Sequence, residues 1–172
     1  DVFEVQEQIA GRVSGALNVA LATPDRERLA EQPTNDLEAY NLYLQAEAIP
    51  GSDIESVRRV MALLEAAVRR DSTFSIAWAR LATFRSFTHF RTPGAIDVAS
   101  AREALDRAVS LAPDAPMTYR ARVSHLDFVE RDVAGAHALM KEAVSRYPNE
   151  ASLLRSLGGL EVSNGNTEAA LT

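Results

Sequence analysis

A few side chains in this 172-residue chain have types and spacings that could do chemistry. His125, Asp127 and His137 could ligate a metal, since imidazole and carboxylate are common donors. On a helix, however, residues two apart do not face each other. His125 and Asp127 would then point to different faces, and 3 histidines in the whole chain need no metal. No metal or other cofactor is expected. Phe87, His89, Phe90 and Arg91 make an aromatic, basic cluster in what reads as a long turn. An exposed aromatic pair can dock a partner; the alternative is a turn that folds back to cap its own apolar seam. There is no thiol, no glycine-rich phosphate loop and no nucleophile elbow. Gly158-Gly159 follows no strand and reads as a helix-packing feature. The acidic residues are spread along amphipathic stretches, where a solvated face accounts for them. These observations point away from an enzyme and toward recognition.

Composition sets the outer bounds. The length suits one domain with a sizeable core, or a short solenoid. Net charge is −6, which argues against nucleic acid, whose binding needs clustered Lys and Arg. No apolar run approaches the roughly 20 residues that span a bilayer. The absence of cysteine fits a reducing compartment without excluding the periplasm. The chain begins at Asp1 without Met and breaks off inside a pattern described below, so it reads as a piece of a longer protein.

The elements that must position these residues are helices. Trp78 is followed by Leu81 and Ala82, then by Ala101, Leu105 and Ala108, and the run closes at Pro113. The same order recurs upstream at Tyr40, Tyr43, Val60, Leu64 and Ala67, with Ser72 in the place of the proline. Downstream it recurs at Tyr119, Ala136, Met140, Ala143 and Pro148. A fourth copy begins at Leu154, Leu157 and Gly158 and stops at Ala170. Trp78 follows Tyr40 by 38 residues, Tyr119 follows Trp78 by 41, and Leu154 follows Tyr119 by 35. A period of this size, built from two amphipathic helices, is the signature of a helical solenoid. Proline after the second helix stops it, for want of an N–H and by clashing with the preceding turn. The expected hairpins run Leu37–Ala48 with a turn at Ile49-Pro50-Gly51-Ser52-Asp53 and a return to Arg70, Phe74–Phe87 with about Ile96–Leu111, and Pro116–Glu130 with Val133–Arg146. The last is Glu150–Ser163, a turn at Asn164-Gly165-Asn166 and a truncated helix from Thr167. Ahead of them, Val2, Phe3, Val5, Ile9, Val13, Ala16, Leu17, Ala20 and Leu21 make one face of a helix, and Thr23-Pro24 opens a second, shorter one.

The pattern resembles tetratricopeptide repeats (TPR), whose signature sets a large aromatic on the first helix, small residues where the helices meet, and a closing proline. It covers about Leu37 to Thr172. Arg122 stands where the pattern has an apolar residue, and the turns inside the first two repeats are about four and seven residues longer than usual. The resemblance implies an all-α, TPR-like superhelix of antiparallel helix hairpins with an N-terminal helical lead-in. The domains would be 1–36, the lead-in, and 37–172, the array, with repeats at about 37–74, 75–115, 116–150 and 151–172. It also implies a concave groove lined by Asn41 and Gln45, Thr83 and Phe87, Arg120, Ser124 and Asp127, and Arg155. Arg120 and Arg155 suit an acidic ligand, since guanidinium pairs with carboxylate at two points. The alternative is that these are solvated polar positions.

The first 45 residues, with Asp1-Val-Phe-Glu-Val-Gln-Glu-Gln-Ile-Ala, Thr23-Pro24 and Leu37-Glu-Ala-Tyr-Asn-Leu-Tyr-Leu, resemble a segment of large bacterial signalling proteins. There it joins a TolB-like domain to a C-terminal TPR array. That resemblance implies a regulatory or scaffold region of such a protein, binding a protein or peptide partner. One alternative is the regulatory part of an adenylate cyclase-like enzyme. Another is self-association, through the helix of residues 2–21 or through an open fourth repeat. The implied location is the bacterial cytoplasm, or the periplasm where the parent protein has an upstream membrane span.

Overall fold

Aspartates open four of the helices. Asp36 Oδ1 accepts from the N–H groups of Glu38 and Ala39, both at 2.9 Å, and Asp53 Oδ1 accepts from Glu55 and Ser56. Asp97 caps through Ala99 N–H and Asp132 through Gly135 N–H. Each satisfies a donor that the first turn leaves unpaired and places negative charge at the positive end of the helix dipole. Asp132 needs a glycine three residues on: a Cβ at Gly135 would lie 2.2 Å from the cap's Oδ2.

The computed structural model describes residues 5–6, 33–50 and 53–163. Contacts divide the chain into Asp1–Asn35 and Asp36–Thr172, and the second unit is the one described below. Of the first unit's expected helices only Val5 and Gln6, both helical, fall within the described residues. The expected turn at Asn164 and the helix from Thr167 lie outside them.

In the second unit the order is α1 Leu37–Glu47, α2 Ile54–Arg70, α3 Ser75–Arg91, α4 Val98–Leu111 and α5 Pro116–His125, then a π-helical turn Leu126–Glu130, α6 Val133–Arg146 and α7 Ala151–Ser163. Among the described residues there is no strand. Periodicity decides which faces are buried. In α2 the buried set is Val57, Val60, Met61, Leu64, Ala67 and Val68, a stripe at the spacing of one helix face. Ala101, Ala104, Leu105 and Ala108 do the same in α4, and Ala136, Met140 and Ala143 in α6. Each helix packs on the next along the chain, and α5 also packs on α3 and on α7. Because α3 meets α2, α4 and α5, it is buried on more than one side, at Ala77, Ala79, Leu81, Ala82, Ser86 and Thr88.

The connections between hairpins repeat in atomic detail. The backbone N–H groups of Asp71, Ala112 and Tyr147 donate to Ala67, Ala108 and Ala143, each at 2.9 Å. Three residues later Phe74, Ala115 and Glu150 donate back to those same three residues. Four residues further on, Trp78, Tyr119 and Leu154 donate to Phe74, Ala115 and Glu150. Tyr40 makes the same bond to Asp36. The four residues that marked the period in the sequence therefore occupy one position in the first turns of α1, α3, α5 and α7. Their predecessors Ala39, Ala77, Thr118 and Leu153 are all buried. In the fourth copy the core residue is Leu153, at 0 % exposure, whereas Leu154 is 46 % exposed. Long side chains also run from the second helix of each hairpin to the residues just ahead of its first: Arg70 Nε donates to Asp36, Arg107 Nη2 to the Ser72 carbonyl and Arg146 Nη1 to Asp114. Exposed pairs of this kind contribute little each, about 0–1 kcal/mol.

Two boundaries differ from the sequence expectation. Residues 88–91, expected in a long turn, are the last turn of α3, and α4 starts at Val98 rather than Ile96. The extra turn of α3 forms because Phe87 and Phe90 both find Phe128, at ring separations of 5.6 and 5.4 Å. After α5 the chain widens into the π turn and ends on Arg131 at φ 58°, with its guanidinium over the Phe90 ring at 4.7 Å.

His125 sits at that junction, 3 % exposed, with Nε2 3.7 Å from Glu130 and Nδ1 without a hydrogen-bond partner among the described residues. Burial pushes the imidazole below its ordinary value of 6.5, against the pull of Glu130. Below about pH 6.5 the unfolded chain takes up this proton before the folded one does, so stability falls as pH drops from there toward the folded value. His125→Leu is expected to flatten the fall in denaturant midpoint between about pH 6.5 and pH 5. An unchanged slope would show that the imidazole is not held neutral by the fold.

Candidate functional site

Helix α3 presents Arg80, Thr83, Phe84 and Phe87 on one stripe. The α5 helix and the π turn that continues it present Arg120, Val123, Ser124, Asp127 and Phe128, and α7 presents Ser156, Gly159 and Leu160. These stripes, with Met140 of α6 at the back, line a cavity of about 440 Å³. That size and the mix of apolar walls with a few polar groups fall in the range of ligand sites.

The charges in and around the cavity are unequal in their partners. Arg80 is held by Glu47 of α1 at 2.6 Å and lies over the Phe84 ring at 5.1 Å. Arg85, on another face of α3, is also largely buried, and donates to the Ser100 carbonyl at 2.9 Å and to Glu65 at 3.0 Å. Arg120 is half-buried, and its one hydrogen bond among the described residues goes to the Met117 thioether, at 3.6 Å. Burial, followed by the neighbouring Arg80 cation, pushes the Arg120 guanidinium below its ordinary value, with Arg155 adding to the repulsion and Glu47 opposing it. Asp127 faces the same space, and burial pushes its carboxyl above the usual value against the pull of Arg131. Tyr43, near the Arg80 end, is pushed up to about 12, mainly by burial.

Of the residues expected to form a groove, Thr83, Phe87, Arg120, Ser124 and Asp127 share this cavity. Thr83 is partly occupied, since its hydroxyl donates to the Ala79 carbonyl at 3.0 Å. Arg155 is exposed on α7 outside the lining, close enough to act on the charge of Arg120. Asn41 and Gln45 are exposed on α1 and do not line the cavity. Arg80, Phe84, Val123 and Phe128 were missed, although they lie three or four residues from expected positions on the same stripes. Gly159 differs from its reading as a packing glycine: a Cβ there would meet nothing within 4 Å among the described residues, and it lines the cavity.

The aromatic, basic cluster divides. Phe87 faces the cavity, Phe90 is 43 % exposed and stacks on Phe128, and His89 Nδ1 lies 3.3 Å from the Ile96 carbonyl. His137 Nε2 is 2.6 Å from Glu161. Among the described residues no group of three or more His, Asp or Glu is placed to hold a metal ion, and no helix is long and apolar enough to cross a membrane.

No model of a known protein family matches the chain, and a search of curated proteins likewise returns no significant match.

Proposed function

We propose that residues 37–163 belong to a TPR-like superhelix of antiparallel hairpins that recognises an acidic peptide or protein segment, as a regulatory or scaffold region of a larger bacterial signalling protein. The hairpin reading is supported by the three identical connections at Asp71, Ala112 and Tyr147. Quasi-one-dimensional stacks of this kind present extended recognition surfaces. The observation that carries the function is Arg120. A half-buried cation is costly unless paired, and Arg80 and Arg85 on α3 both have carboxylate partners. Arg120 has none among the described residues, and Arg80 and Arg155 add their repulsion. An incoming carboxylate relieves both costs. The work done at the site is recognition, with no bond made or broken.

The test is affinity capture from a native bacterial lysate on the immobilised chain, beside the double variant Arg120→Glu, Arg155→Glu. The expected result is a protein retained by the parent chain and lost from the variant. Retention of the same proteins by both, with helix content unchanged, would overturn the assignment of the site.

A further inference from the structure

The cavity is polarised along its length. Arg80 and Arg120 mark one end, and the edge-to-face pair Phe87–Phe128 marks the other, beside Asp127. Arg120 and Asp127 are seven residues apart along one face, which places the two ends about 10 Å apart at 1.5 Å per residue. At the far end the Asp127 carboxylate has no hydrogen-bond donor among the described residues, and a flat ring packed against the Phe87–Phe128 pair would bring a donor to it. A peptide in the extended polyproline II form advances about 3.1 Å per residue and returns every third side chain to one face, so residues three apart span about the same distance. The surface outside the Arg120 end continues onto exposed Arg155 of α7, which suits a chain running out of the cavity.

Resting on the recognition reading above, we propose that the occupant is an extended peptide. It carries a carboxylate side chain for Arg120 and, three residues away, a tyrosine or tryptophan whose ring packs against the cavity side of the Phe87–Phe128 pair. The ring's O–H or N–H donates to Asp127. Aromatic pairs add about 0.5–1.5 kcal/mol beyond area burial, and a charge-assisted bond to a carboxylate is about twice as strong as a neutral one. The pair of features therefore discriminates where either alone would not.

Gly159 supplies a test, because a Cβ there would meet nothing within 4 Å among the described residues and Leu is a better helix former than Gly. A fluorescein-labelled peptide, otherwise glycine and serine, with glutamate and tyrosine three residues apart is titrated into the whole chain by anisotropy. Peptides with glutamate alone, tyrosine alone, or the two adjacent are run beside it, as is free N-acetyltyrosine in competition. The expected result is at least tenfold tighter binding of the spaced peptide than of the others. That advantage is lost in Gly159→Leu and in Asp127→Leu while both variants keep their helix content. Equal binding of the glutamate-only peptide, still dependent on Arg120, would overturn the two-ended site and leave the acidic-peptide reading standing. Binding of no peptide would overturn both. Competition by N-acetyltyrosine as strong as by the spaced peptide would overturn the peptide in favour of a free aromatic acid.

Discussion

Phe74→Ala is expected to lower stability by about 3–5 kcal/mol, the usual cost of emptying a fully buried phenylalanine site. Phe74 is 0 % exposed and is the largest of the fully buried side chains among the described residues. Its ring lies 5.4 Å from Tyr43 of α1, and its carbonyl accepts from Trp78 N–H in the first turn of α3. It therefore joins the α1–α2 hairpin to the rest of the stack. In the proposed array, where each hairpin meets its neighbours, losing one junction uncouples the units on either side. The melting temperature should fall by roughly 10–15 °C, and unfolding should split, with α1–α2 lost first. Hydrogen exchange resolved by segment would show it: early exchange confined to residues 37–70 in the variant, against a single cooperative loss in the parent. A fall of only a degree or two would mean that the junction is carried elsewhere.

Arg120→Met has the opposite sign for stability and the larger effect on binding. The guanidinium is half-buried, faces Arg80 and Arg155, and bonds within the described residues only to a thioether. Replacing a charge in that setting by an apolar chain of similar length is neutral or stabilising, here by about 1 kcal/mol, or roughly 2–4 °C in melting temperature. Binding of an acidic peptide should fall at least about tenfold, since losing one partner of a desolvated charge pair commonly costs 2–5 kcal/mol. A residue whose removal stabilises the fold while abolishing binding is the mark of a site held at the expense of stability. Thermal melts and titrations on the same samples check both halves. If Arg120→Met melts several degrees lower and binds as before, Arg120 is a packing residue.

Much of the helical framework was legible because its signals are local. Asp36, Pro116 and the small residues Ala82, Ala101 and Ala136 act within a turn or at one crossing, and six of the seven helices begin within two residues of their expected positions. The seventh, α2, begins at Ile54, directly after the expected turn at residues 49–53, and ends at the expected Arg70. The last turn of α3 was not legible. Residues Thr88 to Arg91 look like a turn, and what keeps them helical is Phe128, some 40 residues later, held on a π turn that no sequence pattern announced. The site was legible along its polar edges. Thr83, Phe87, Arg120, Ser124 and Asp127 were named from one side of each stripe. The apolar neighbours Phe84, Val123 and Phe128 read equally well as packing, and Gly159 read as a close approach when it faces open space. Arg80 and Arg85 are alike in sequence. Only their partners, Glu47 for one and Ser100 with Glu65 for the other, separate them from Arg120.

On the proposed reading, Arg120, aided by Arg155, is an anion receptor. The most direct measurement is a titration of an acidic peptide into the parent chain and into Arg120→Glu, Arg155→Glu, each at about 0.1 M and about 1 M salt, where screening lengths are about 10 and 3 Å. The expected result is saturable binding by the parent that weakens with salt, and none by the double variant at equal helix content. Equal affinity in both proteins, or parent binding indifferent to salt, would contradict it.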